Sequence, residues 1–174
     1  MNTPRVAVIG IGTPEHADDA AGLVVARRVR EQAPPSVDVH EVTGDGIALL
    51  ETWHGYERVI LVDAVFSGRI AGTLHRFDGR NLPDSERIRL SSTQALGLRE
   101  TLRLAESLER LPGELIVIGI EADELAVGRE ISSDVEAAIP DAVDLVIEEI
   151  GRDAGVVSPA PQTDAGHKTV EALD

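Results

Sequence analysis

The sequence predicts a three-layer α/β domain, with helices on both faces of a mostly parallel, twisted sheet of about five strands. Two observations carry this. Short apolar runs alternate along the chain with helix-length segments, the pattern of successive βα units. The strongest runs, Val6-Ala7-Val8-Ile9 and Val59-Ile60-Leu61-Val62, are also continuously apolar, as strands buried on both faces are, whereas a strand with one wet face would alternate. A chain of 174 residues suits one core.

The elements follow in order. Residues 5–11 read as the first strand and 18–32 as a helix, stopped by Pro34-Pro35. Residues 37–42 form a second strand and 46–53 a short helix. Residues 58–64 are a β-branched central strand ending in Asp63-Ala64, and 72–77 a shorter strand suited to an edge. A polar loop reaches Ser92. Leu98, Leu102, Ala105 and Leu108 then recur at helical spacing before Pro112-Gly113, and residues 114–120 make a fifth strand. Val135, Ile139, Ala142, Val146 and Ile150 form the stripe of a last helix, with Ser133 and Glu136 spaced as a capping box. Pro140 predicts a kink, or a separate first turn before the main helix. One domain is expected over residues 1–152, and residues 153–174, rich in Gly, Pro, Ser, Thr and Asp, read as a disordered acidic and polar tail.

Composition excludes several classes. With 43% hydrophobic and 27% charged residues, no apolar run reaches membrane-spanning length. The net charge of −15 argues against nucleic acid as a partner. Between residues 121 and 150 ten acids accompany one arginine, either a solvated helix face or a docking surface for a basic partner. No apolar leader precedes the first strand, so a cytoplasmic location is expected. The absence of cysteine removes disulfides, thiolate ligands and a thiol nucleophile.

The first strand ends in Gly10-Ile11-Gly12, which suggests a dinucleotide loop, but Glu15 stands where a third glycine is wanted. Asp18 and Asp19 then occupy the helix start that a pyrophosphate would need, and would repel it. They suit either the helix dipole or a cation held at the carboxyl end of the sheet. Asp63, ending an apolar central strand, either caps the following loop or converges with Asp19 on one crevice. No HExxH or GxSxG occurs, leaving metal-assisted or carboxylate-based chemistry.

These features resemble the hydrogenase maturation endopeptidases. That family opens with a strand, G-x-G-N and then D-[DE]-x-x-G, and the chain reads Gly10-Ile11-Gly12-Thr13 and Asp18-Asp19-Ala20-Ala21-Gly22. A second family aspartate ends an apolar strand, matching Asp63-Ala64. A third ligand, a histidine in S-[ST]-H-x-L-G-L, corresponds to Gln94 in Ser92-Thr93-Gln94-Ala95-Leu96-Gly97-Leu98. Similarity continues through Gly72-Thr73-Leu74, the strand end at Glu121 and Ile131-Ser132. The resemblance implies an endopeptidase that removes the C-terminal extension of a nickel-loaded [NiFe] hydrogenase large-subunit precursor. Asp19 and Asp63 would be catalytic and, with Gln94, would meet a nickel ion presented by the substrate, or another divalent cation. An amide oxygen is a weaker, harder ligand than imidazole. Gln94 could therefore ligate through its oxygen, His16 could substitute, or the protein could bind its metal-loaded partner without cutting it. A carboxylate dyad acting without metal is a further alternative. His40, His54, His75 and His167 are expected at the surface.

Overall fold

In a computed structural model, residues 4–43, 45–84, 87–90, 97–123, 128, 130–152 and 170–172 are described. Strand β1 (Val6–Ile11) leads through a 3₁₀ turn (Ala17–Ala20) into α1 (Ala21–Gln32). Then come β2 (Val37–Val42), α2 (Gly46–Thr52), β3 (Arg58–Phe66), β4 (Leu74–Asp78), β5 (Arg89–Leu90) and α3 (Leu98–Ser107). Strand β6 (Glu114–Glu121), α4 (Ser133–Gly151) and β7 (Val170–Ala172) complete the order.

The strands run β2-β1-β3-β6-β4-β7 across one sheet, with β5 paired to β3. Strands β2, β1, β3 and β6 are mutually parallel, and β4 is antiparallel to β6. The sheet is thus mixed but mostly parallel, flanked by helices, as the sequence predicts. Alternate residues of each central strand feed two cores. Val8, Ile60, Val62 and Ile118 pack with α1 and α4, while Ile9, Leu61, Val65 and Val117 pack with α2 and α3. Helix α1 lies directly on the sheet because Gly22 lacks a side chain. A Cβ there would stand 2.3 Å from the Ile11 carbonyl oxygen and 2.4 Å from that of Val62.

Several boundaries differ from the sequence reading. The helix expected from residue 18 begins with a 3₁₀ turn, and β5 lies within the expected loop. Ser132, not Ser133, is the N-cap of α4, and it makes no side-chain cap bond to the helix. The helix runs unbroken through Pro140, which faces solvent; the carbonyl of Glu136 that loses its donor can turn to water. The expected tail lies outside the described residues apart from Val170–Ala172, which pair parallel with β4.

The acid-rich segment is not uniformly a wet face. Asp134, Glu136, Asp144 and Glu148 are exposed, but Glu149 is fully buried. Its carboxylate gathers Arg76 at 2.5 Å, Arg152 at 3.0 Å and Arg58 at 3.5 Å. This carboxylate raises the pKa of Arg76 against the opposing effect of its burial. No helix among the described residues is long and apolar enough to cross a membrane.

Candidate active site

Strands β1 and β3 pair in parallel from Val6 with Arg58 to Gly10 with Val62, so their carboxyl ends lie side by side, where open α/β sheets form their ligand crevice. Asp63 follows Val62 directly. It is fully buried, and its register partner on β6 is Gly119. Beyond Ile11 the chain folds back sharply: a Cβ on Gly12 would lie 2.0 Å from the carbonyl oxygen of Asp19. Glycine is therefore required at the turn that brings the 3₁₀ segment over β1 and against β3. The connecting loop is strained, because Glu15 and Ala17 adopt φ of 65° and 46°. Such conformations cost a residue with a side chain about 1–2 kcal/mol each. They flank His16, whose carbonyl accepts the Asp19 N–H at 3.0 Å.

The adjacent acids have separate tasks. Asp18 is fully buried and structural: Oδ2 accepts the Asp123 N–H at 2.8 Å and the Ser132 hydroxyl at 3.0 Å, and Oδ1 accepts the Ser132 N–H at 2.7 Å. It pins the 3₁₀ turn to the end of β6 and the start of α4. That bond also explains why Ser132 does not cap its own helix.

Asp19 is buried as well, and its Oδ2 accepts the Thr13 N–H at 2.8 Å. Its Oδ1 is buried and meets no hydrogen-bond donor among the described residues. Burial pushes its pKa above the ordinary 3.8, opposed by the Thr13 hydrogen bonds and, more weakly, by the charge of His16. A carboxylate whose folded pKa is raised destabilises the folded protein when ionised, so its favourable share is complete below pH 3.8 and disappears as pH rises through the folded value. Asp19→Asn is therefore expected to raise the melting temperature at pH 7, with the gain shrinking as pH falls towards 3.8. Thermal unfolding over pH 3.5–7 checks this, and a variant less stable than wild type at pH 7 would contradict it.

His75 corrects the sequence expectation. It is fully buried on β4, with Nε2 2.8 Å from Glu121 Oε2. Glu121, also buried, accepts the Ser67 N–H at 2.7 Å, the Gly68 N–H at 3.1 Å and the Ser67 hydroxyl at 2.7 Å. Sequence reasoning missed this cluster, although His75 alternates in phase with the core residue Phe77. His40 is half-buried beside the Tyr56 hydroxyl at 2.9 Å, and His54 is exposed. His167 and Gln94 lie outside the described residues. Among the described residues no group of three or more His, Asp or Glu side chains is placed to hold a metal ion, so His16 does not complete a three-donor set with the two aspartates.

A family model described as hydrogenase maturation protease matches residues 5–149, from the first strand almost to the end of α4. The chain belongs to the hydrogenase maturation protease family. Protein FrxA of Pyrococcus furiosus is 33% identical over 135 residues, covering 76% of this chain and 96% of that protein. Among solved structures, the [NiFe] hydrogenase maturation protease HybD from Thermococcus kodakarensis is similar with a TM-score of 0.71 and 31% identity, covering 85% of this chain and 99% of the other. The hydrogenase 2 maturation peptidase from a Thaumarchaeota archaeon gives 0.63 and 33%, covering 84% and 98%. The likeness spans the whole maturation-protease fold, and the residues beyond 149 fall outside the family match.

Proposed function

We propose that this family member removes the C-terminal extension of a nickel-loaded [NiFe] hydrogenase large-subunit precursor, with Asp19 and Asp63 as its working carboxylates. The observation that carries the reading is the buried Oδ1 of Asp19 at the carboxyl end of the sheet, which meets no donor among the described residues. Such an oxygen is costly unless a cation or donor reaches it. The nickel belongs to the substrate, where it would supply Lewis acidity at the scissile carbonyl. The chain's own residues hold two carboxylates in a low-dielectric crevice to receive that charge, with the Thr13 N–H orienting Asp19. An oxygen-rich donor set also admits magnesium or manganese. Gln94 is proposed to contribute its amide oxygen, and the location is proposed to be cytoplasmic.

The test is incubation of purified precursor, with and without nickel, followed by intact-mass measurement. Wild type is expected to release a C-terminal peptide only from the nickel-loaded form, and Gln94→His to process it at a comparable or higher rate. Failure of wild type to cut the loaded precursor, with Gln94→His active, would show that proteolysis has lapsed and overturn the reading.

A further inference from the structure

We infer that Ile47 and Ile70 are two apolar contact points, one on each side of the crevice, on which the folded precursor docks. The inference takes only the partner's identity from the reading above. Four large apolar side chains are exposed among the described residues: Ile70 at 82%, Ile47 at 62%, Leu108 at 49% and Leu104 at 39%. The two most exposed stand at the carboxyl end of the sheet. Ile47 is the second residue of α2, just after β2, and Ile70 lies in loop 67–73, which leaves β3 beyond Asp63 and crosses β6 to reach β4. In the order β2-β1-β3-β6-β4 they bracket the strand ends that carry Asp19 and Asp63.

Neither side chain is exposed for want of local order. Loop 67–73 is tied at its start by the Ser67 and Gly68 N–H groups on the Glu121 carboxylate. At its end, Gly72 N–H donates to the Glu121 carbonyl at 2.8 Å, and Glu121 N–H to the Thr73 carbonyl at 2.8 Å. Thr73 closes on Ile70 itself, donating to its carbonyl from N–H at 3.1 Å and from the hydroxyl at 2.6 Å. Ile47 is likewise fixed, its N–H donating to Asp45 Oδ1 at 2.9 Å. Single exposed apolar side chains are ordinary on a protein surface; what marks these two is that their backbone is fixed and that both flank the same strand ends, so covering them orders little further chain. A protein that delivers a peptide bond to the crevice covers this end of the sheet. The buried Glu121 cluster thereby gains a task, holding Ile70 outward.

The experiment compares Ile47→Ser, Ile70→Ser and, as a control remote from the crevice, Leu108→Ser. Each is measured for affinity to immobilised nickel-loaded precursor and for kcat and KM in processing. Each isoleucine variant is expected to weaken binding about tenfold or more, with kcat at saturation and the melting temperature unchanged, while Leu108→Ser stays within about twofold of wild type. Wild-type affinity in both isoleucine variants, an equal loss in Leu108→Ser, or no binding by wild type would overturn the inference. If wild type binds the precursor without cutting it, the affinities still decide this inference and only the processing reading fails.

Discussion

Asp63→Asn is expected to slow processing of the nickel-loaded precursor by about a thousandfold or more while leaving the fold intact. Loss of several kcal/mol of charge stabilisation at the reacting carbonyl corresponds to such a factor. The amide matches the carboxylate in shape, so the packing of β3 against Gly119 and the α2–α3 core need not change. What disappears is one of the two charges proposed to receive the cation. Single-turnover processing gives the rate, and circular dichroism with thermal unfolding verifies the fold. A correctly folded Asp63→Asn protein that processes within about tenfold of wild type would remove Asp63 from the chemistry.

Asp18→Ala should do the opposite, cutting stability by about 3–5 kcal/mol, as removing one member of a buried charged network does. Its carboxylate receives two N–H groups and a hydroxyl from segments distant in sequence, and alanine strands all three donors. Asp18→Asn should also destabilise, since in either orientation its NH₂ faces an N–H donor. Urea unfolding measures both. A loss under about 1 kcal/mol for alanine would show that the three bonds are replaced by water. Neighbouring carboxylates thus carry contrary expectations: removing charge at Asp18 weakens the protein, whereas at Asp19 it strengthens the protein at neutral pH.

The parts legible in the sequence are those set by local pattern. Val59 to Val62 is apolar without alternation, so β3 and the burial of Asp63 followed from it, as did β1 and the glycine turn. The parts that escaped depend on partners far along the chain. Asp18 and Asp19 look equivalent in sequence, and only the positions of Asp123 and Ser132 make one a clamp. The spacing of Ser133 and Glu136 points to Ser133 as N-cap, whereas the N-cap is Ser132, whose hydroxyl is committed to Asp18 instead of to its own helix. His75 looks like a surface residue until Glu121 is placed beside it. The continuous helix through Pro140 was obscured because local sequence does not reveal that Pro140 lies on the wet face, where the Glu136 carbonyl left without a partner can turn to water.

The clamp at Asp18 also bears on how the protein comes into being. Its bonds span 105 residues to Asp123 and 114 to Ser132, so the turn that presents Asp19 is secured only after nearly the whole domain has left the ribosome. Contacts of such separation form late, because loop closure must be completed first. A growing chain would therefore hold its first strand and helix well before the turn that carries Asp19 is locked in place.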